Sequence, residues 1–328
     1  MSPLDAHLSR VVAPVEQGLE SMRKVLIETL RTDTPAVSDM TDHISRFRGK
    51  QLRGALVLLA ADALGNRHEE LPQVAAIVEL IHLATLVHDD VLDEAAVRRR
   101  VASVNQRWDN QVAVLLGDFL YARAFHLSTT LSSRIASQVL SIATQKICAG
   151  EIEQAAHRYD FEQSQEHSES IAGAKTAVLY SVACELGARY PARDDQTCRM
   201  FSEFGWAIGL AFQIADDVLD VVGNAEVVGK AVGTDVQDGK VTLPVLYVYQ
   251  AADRATRSRI RDAYTMPDIE NRAETLSEVC DLQPGVEYAL ARARVLVDGA
   301  LATLETLPAS PARNALQSLG PYVLERRW

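Results

Sequence analysis

The sequence predicts an all-α fold: a single large helical domain formed by residues 1–328. Three observations predict it. Apolar residues recur at helical spacing nearly everywhere, and no stretch keeps a period-two alternation. The hydrophobic content of 48% is ample for a sizeable core. The motifs that must meet are spread from Lys50 to Lys240 with no linker between them, so 328 residues do not divide into two domains.

The elements follow in order. A first helix covers about 8–31, and a second, 36–48, stops near Gly49. Residues 53–64 form the next, with Gly65 as its stop. Residues 71–92 make a long helix that opens on Pro72. Helices at 105–128 and 132–157 come next, then a polar loop at 158–168 and helices at 169–189 and 194–221. Residues 223–244 change character: Gly229, Gly233 and Gly239 alternate with Lys230 and Lys240, which reads as a mobile loop. Segments 244–252, 254–265, 271–281 and 284–306 are helical, and a last helix follows Pro308 and Pro311.

One acidic pentad occurs twice. His88-Asp89-Asp90-Val91-Leu92-Asp93 ends one apolar stretch, and Ala215-Asp216-Asp217-Val218-Leu219-Asp220 ends another. Asp89 and Asp93 are one helical turn apart, as are Asp216 and Asp220, so each pair points one way. Solvated helix ends are the ordinary explanation of a single such stretch. Two copies, each closing an apolar segment, point instead to carboxylates at the rim of an apolar pocket. Such groups repel and lose hydration, so a cation belongs between them. Mg²⁺, with Mn²⁺ as a substitute, suits a site made of a few carboxylates and substrate phosphates. Asp89, Asp90, Asp93, Asp216, Asp217 and Asp220 are the candidate metal ligands.

The net charge of −11 argues against a nucleic-acid partner. Cys148, Cys184, Cys198 and Cys280 show no metal spacing and read as free thiols of a reducing cytoplasm. Asp5, His7 and Arg10 interrupt any signal-peptide core, and no transmembrane segment of ~20 apolar residues is expected, so a cytoplasmic protein is.

Basic residues stand beside the acidic motifs in sequence. Lys50 and Arg53 precede a helix whose N-terminus favours an anion, and Arg98-Arg99-Arg100 follow the first pentad. Lys175 lies in a helical stretch, and Lys230 and Lys240 follow the second pentad. Each alone reads as solvated surface. Together they point to two diphosphates, one clamped by metal and one held by cationic side chains.

The chain resembles the trans-type isoprenyl diphosphate synthases, in their long-chain polyprenyl branch, over roughly residues 15–328. The resemblance rests on Gly49-Lys50-x-Leu52-Arg53, Ile81-His82-x-Ala84-Thr85-Leu86-Val87-His88 leading into the first pentad, and Arg98-Arg99. It continues through Gly117-Asp118-Phe119-Leu120, Gly150-Glu151-x-x-Gln154, Lys175-Thr176-Ala177, and Phe212-Gln213-Ile214 before the second pentad. Gly229-Lys230-x-x-Gly233-Thr234-Asp235 and Asp238-Gly239-Lys240-x-Thr242-Leu243-Pro244 complete it. It implies a single large helical bundle surrounding a central cavity, and Mg²⁺-dependent head-to-tail 1′-4 condensation of isopentenyl diphosphate with an allylic diphosphate. Arg98, Lys175, Gln213, Lys230 and Lys240 look like the allylic-diphosphate ligands, and Lys50, Arg53, His82 and Arg99 like the isopentenyl site. Lys175, Thr176 and Gln213 look catalytic, the last two by stabilising an allylic cation.

In the resembling family bulky residues just below the first pentad limit product length. Ala84 and Thr85 are small here, so a tunnel is expected to reach at least Ile81, two turns from Asp89 at ~5.4 Å per turn. The product is then longer than geranylgeranyl, in the hexaprenyl to decaprenyl range, and apolar enough to be handed to a membrane. A homodimer is implied, through the 105–128 and 132–157 helices. Three residues depart from the pattern: Gln51 for Arg, Gly54 for Pro, and Arg100 for Gly. Gln51 is expected to weaken the isopentenyl site and Gly54 to loosen the start of its helix. His88 reads as structural or as a support behind the metal ligands. Three other readings compete: a short-chain synthase, a class I terpene cyclase, and a regulatory subunit of a heteromeric synthase. Low aromatic content (6%) and the Lys50/Arg53/Arg99 set weigh against the cyclase, and two intact pentads against the subunit.

Overall fold

The structure, a computed structural model, describes residues 3–47, 49–98, 101–190, 194–222, 233–267, 269 and 271–325, with only the backbone for 3–6. The described residues are all-α apart from one two-stranded ribbon. Their order is α1 Pro3–Val12, α2 Glu16–Leu30, α3 Pro35–Ile44, α4 Leu52–Ala63, α5 Leu71–Leu92, β1 Val97–Arg98, β2 Val101–Ala102, α6 Val104–Arg107, α7 Asn110–Thr130 and α8 Ile135–Ala156. Then come α9 Gln165–Ala172, a π-helical turn at Gly173–Ala177, α10 Val178–Arg189 and α11 Asp195–Val222. Shorter helices and the long Gln283–Leu304 follow.

Contacts group the chain into two compact units. The first holds Met1–Thr144, Leu179–Gly205 and Leu304–Ser318; the second holds Gln145–Val178, Trp206–Thr303 and Leu319–Trp328.

In the first unit α4 is buried on every side from Gly54 to Ala61, which is why its apolar pattern has no polar face. α5 packs against α2, α4 and α7. It opens on Pro72, whose missing N–H costs nothing in a first turn, and ends where Asp93 N donates to Asp89 O at 2.8 Å. Contrary to expectation, α5 is long and apolar enough to cross a membrane, but 56% of its apolar window is buried inside the protein and Asp90 is fully buried near its end. Close approaches depend on glycine. A Cβ on Gly187 of α10 would lie 2.2 Å from Val57 O of α4, and one on Gly205 of α11 2.4 Å from Tyr180 O. His88 Nε2 is 3.1 Å from Val114 O, and the ring occupies the space a Gly117 Cβ would need. That is the structural role expected of it.

In the second unit Phe161, Val241, Leu246, Tyr249, Ile260, Tyr264 and Leu276 form a core. α9 is opened by Ser164, which accepts from His167 N at 3.1 Å.

Several boundaries differ from expectation. The first helix breaks into a 3-10 turn at Ala13–Val15, because Pro14 cannot donate to the helical ladder. The 105–128 helix divides at Trp108 and Asp109, since the Asp109 carboxylate accepts from Val112 N at 2.7 Å and starts α7 afresh. α9 begins four residues before the expected 169, and the expected 169–189 helix is interrupted by the π turn. The ribbon pairs Val97 with Ala102 where no strand was expected. The four cysteines are free, Cys184 and Cys198 buried.

Gly187→Ala is expected to destabilise the protein by about 1–3 kcal/mol, because the new methyl meets a backbone carbonyl. A lower urea midpoint at unchanged slope is the check.

Candidate functional site

The first unit carries one half of the candidate residues. Asp90 is fully buried at the end of α5, and Arg98 Nε donates to its Oδ1 at 2.6 Å. Burial pushes the Asp90 carboxyl above the usual carboxylate range, against the pull of the Arg98 guanidinium. Its Oδ2 is buried with no hydrogen-bond partner. Arg98, expected on a diphosphate, is thus placed beside the first acidic motif. Asp89 and Asp93 are half-buried on the same side of α5.

Arg53 and His82 come together, Arg53 Nη1 donating to His82 Nε2 at 3.0 Å. The guanidinium also lies over the Tyr180 ring, 4.5 Å from its centroid. Tyr180 was not singled out by sequence; its spacing from Arg53 carries no local signal. Lys50 is exposed just before α4. Arg99, Arg100 and Lys230 lie outside the described residues.

Two departures have their causes in side chains distant in sequence. Gln51 takes φ +50° and its Oε1 accepts from Arg23 Nε at 2.8 Å, where an arginine would set cation against cation. Gly54 does not loosen α4. Its N–H, one of the unsatisfied donors of the first turn, donates to Glu79 Oε1 at 2.8 Å, and a Cβ there would lie 2.4 Å from Met22 Sδ. Proline would lose that donor and need that space.

On α5, His82, Thr85, Leu86 and Asp89 share a half-buried face. Ile81 and Ala84 are fully buried. Thr85 Oγ1 donates to His82 O at 2.8 Å.

The second unit carries the other half. The π turn carries Lys175 and Thr176, and π turns concentrate at functional sites. Two glycines give it room: a Gly150 Cβ would lie 2.8 Å from Ala174 Cβ, and a Gly173 Cβ 2.4 Å from the Trp206 ring. Lys175 Nζ donates to Glu151 Oε2 at 3.0 Å and Gln154 Oε1 at 3.1 Å. Thr176 Oγ1 donates to Gln213 Oε1 at 2.6 Å, and Gln213 Nε2 donates to Asp217 Oδ1 at 2.7 Å. This relay fixes which way the Gln213 amide points.

A cavity within this unit is lined by Gln154, His157, Lys175, Gln213, Asp217, Asp235 and Lys240, among others. Burial pushes the Asp217 carboxyl well above the usual range, and the negative charge of Asp235 adds to the rise. Lys240 Nζ lies 3.1 Å from Asp238 Oδ2 and 3.5 Å from Asp235 Oδ1.

Asp220 does something different from its neighbours. Its Oδ1 accepts from Thr234 Oγ1 at 2.8 Å and its Oδ2 from Asp235 N at 2.8 Å, while its carbonyl accepts from Gly233 N at 2.7 Å. The described part of the segment read as a mobile loop is thus a helical turn, Thr234–Gln237, fastened to the second pentad.

In the first unit the buried, partnerless Asp90 Oδ2, and in the second the buried Asp217 carboxyl, are each oxygen donors of the kind a hard divalent cation such as Mg²⁺ takes.

The family model described as polyprenyl synthetase matches residues 34–282. The octaprenyl diphosphate synthase of Escherichia coli (strain K12) is 31% identical, the match covering 98% of this chain and 99% of that protein. An all-trans-nonaprenyl-diphosphate synthase (geranyl-diphosphate specific) from Rhodobacter capsulatus is 34% identical, over 96% of this chain and 97% of its own. Among solved structures, a Caulobacter crescentus CB15 polyprenyl synthase, complexed with calcium and isoprenyl diphosphate, superposes with TM-score 0.92 at 31% identity, covering 98% of both chains. A decaprenyl diphosphate synthase from Rhodobacter capsulatus gives 0.90 at 32%, over 97% of this chain and 99% of its own. The fold is that of the all-α isoprenoid synthases. The chain belongs to the polyprenyl synthetase family and, with it, to the prenyltransferases.

Gly54→Pro, which restores the family's usual residue, is expected to destabilise the chain by about 1.5–3 kcal/mol through the lost bond to a carboxylate. Urea unfolding beside Gly54→Ala, which keeps the N–H, separates that loss from packing against Met22.

Proposed function

We propose that this chain joins isopentenyl diphosphate head-to-tail (1′-4) to an allylic diphosphate and builds an all-trans product in the hexaprenyl to decaprenyl range. The relay from Thr176 through Gln213 to Asp217, beside Lys175, carries the reading. Its amide and carboxylate line one cavity with Lys175 and Lys240, and the Thr176 hydroxyl is bonded to that amide. Heptaprenyl, octaprenyl and nonaprenyl synthases among the relatives support the long product.

Asp89, Asp90, Asp93, Asp216 and Asp217 would hold Mg²⁺, or Mn²⁺ in its place, with Asp220 anchoring the turn behind them. When bound, the metal supplies Lewis-acid neutralisation of the leaving diphosphate. Lys175 and Lys240, with Arg98 and Lys230, take oxygens of that diphosphate, so charge developing as the C–O bond breaks meets fixed cations. The Thr176 hydroxyl and Gln213 carbonyl turn their negative ends toward the allylic carbon as it becomes cationic. Arg53, stacked on Tyr180 and bonded to His82, holds isopentenyl diphosphate with Lys50 and Arg99 so that its double bond attacks that carbon. The proton released as the new bond forms passes to the departing diphosphate. Apolar walls keep water from the cation.

In this reading residues 1–328 are one polyprenyl-synthase-like helical domain, in a cytoplasmic homodimer. Exposed Val114, Leu115 and Ile142 on α7 and α8 support the dimer. A second reading has the chain work with another subunit, because relatives in Bacillus subtilis and Geobacillus stearothermophilus are described as heptaprenyl diphosphate synthase component 2. Incubating the purified chain alone with farnesyl and isopentenyl diphosphates and Mg²⁺ separates the two, and sizing the product reports chain length.

Asp89→Ala and Asp216→Ala are each expected to lower turnover by about 10²–10³-fold or more while the helical circular dichroism persists. Near-normal prenyl transfer by both variants would contradict the metal clamp. Of Ile81, Ala84 and Thr85, Thr85 shares the half-buried face with Asp89 and is the residue most exposed to the growing tail. Thr85→Phe is expected to shorten the product. Ala84→Phe, at a fully buried position, is expected to shorten it only by displacing neighbours and so to cost stability as well. An unchanged product distribution from Thr85→Phe contradicts this path.

A further inference from the structure

One cluster in the second unit belongs neither to the aspartate motifs nor to the basic residues around them. Glu153 lies in the last turn of α8, His157 one turn further on, and His167 in the first turn of α9. Each offers one ligand atom, and the three atoms lie within 4.8 Å of one another. Glu153 Oε1 is 3.2 Å from His157 Nε2 and 3.6 Å from His167 Nε2. The two imidazoles meet edge to face, with centroids 4.6 Å apart.

The surroundings hold this arrangement in place. His157 Nδ1 sits 2.9 Å from Asp160 Oδ2, and Asp160 Oδ1 accepts from Glu162 N at 2.9 Å. His157 N donates to Glu153 O at 3.0 Å, so the helical turn that aligns the i, i+4 pair continues past α8. The Ser164 cap fixes the backbone of His167.

We propose that Glu153, His157 and His167 bind a transition-metal ion of the Zn²⁺ class, with water as a fourth ligand, at a site separate from the Mg²⁺ of the aspartate clusters. Three features support it. In the tautomer that gives Nδ1–H to Asp160, the His157 Nε2 lone pair faces a Glu153 oxygen, an opposition that a cation resolves; a carboxylate behind a ligating histidine is the usual way such a ring is oriented. His167 Nε2 is buried and makes no hydrogen bond. Tetrahedral zinc, with bonds of about 2.0–2.1 Å, sets its ligand atoms about 3.3 Å apart, close to the two distances found. Two imidazole nitrogens also select against Mg²⁺, which takes oxygen. An imidazolium hydrogen-bonded between Glu153 and Asp160 accounts for His157 but leaves His167 Nε2 unexplained.

Such an ion would tie the end of α8 to the start of α9 across the 158–164 segment. His157 also lines the cavity with Lys175 and Asp217, so the ion would stiffen one wall of it.

The test is Zn²⁺ uptake by the full chain, against a chromogenic competitor and under saturating Mg²⁺, with Co²⁺ as a spectroscopic stand-in. The wild type is expected to take up one Zn²⁺ per chain that Mg²⁺ does not displace, and to give the intense visible bands of tetrahedral Co²⁺. His167→Gln and Glu153→Gln are expected to lose both, and Asp160→Asn to weaken uptake about 10–100-fold. Circular dichroism identifies any variant that fails to fold, and the other variant then decides. Absence of Zn²⁺ uptake by the wild type, or uptake and bands unchanged in folded His167→Gln and Glu153→Gln, overturns the proposal. Because the readout is metal bound and not product formed, the result stands apart from whether the chain transfers prenyl groups.

Discussion

Carboxylates at the ends of apolar helices are the constraint around which this molecule is arranged. Taking a carboxylate out of water is costly unless a partner replaces the water. The three buried ones are compensated in three different ways. Asp90 has the Arg98 guanidinium, Asp217 has the Gln213 amide, and Asp220 has a hydroxyl and backbone N–H groups. Of these three partners only Arg98 carries a full charge, and the Asp217 carboxyl sits well above its usual range beside the charge of Asp235.

The same groups also organise backbone. Asp220 fastens the turn that presents Asp235 and Lys240, so one pentad both lines the cavity and positions part of its wall. Arg98 is carried by the short ribbon that follows α5. Functional and structural work is thus shared within each motif. The π turn extends this logic, since it sets Thr176 against Gln213 while Lys175 reaches back to α8.

How far the sequence could be read depended on whether the cause was local. α5 was expected at 71–92 and runs Leu71–Leu92, because Pro72 and the first pentad mark its ends in the sequence itself. Gly65, at φ +69°, closes α4 as expected. The early start of α9 was also local, but the Ser164 cap lies inside a stretch read as polar loop. The π turn was not readable, because it depends on Gly150 meeting Ala174 and Gly173 meeting Trp206. In the site, the residue types were legible and their pairings were not. Tyr180 beneath Arg53, Arg23 on Gln51 and Glu79 on Gly54 each come from distant sequence. The Glu153, His157 and His167 set has one readable signal, an i, i+4 Glu–His pair at a helix end with a histidine ten residues on, which is weaker than the aspartate motifs.

The proposed function needs both aspartate motifs for Mg²⁺-dependent diphosphate binding, and calorimetric titration with inorganic diphosphate tests this without any catalytic step. Binding is expected with Mg²⁺ present, to vanish in chelator, and to be lost equally in Asp89→Ala and Asp216→Ala, since each disables one of the two motifs. Metal-dependent binding that survives intact in either variant would contradict it, because one motif alone would then suffice.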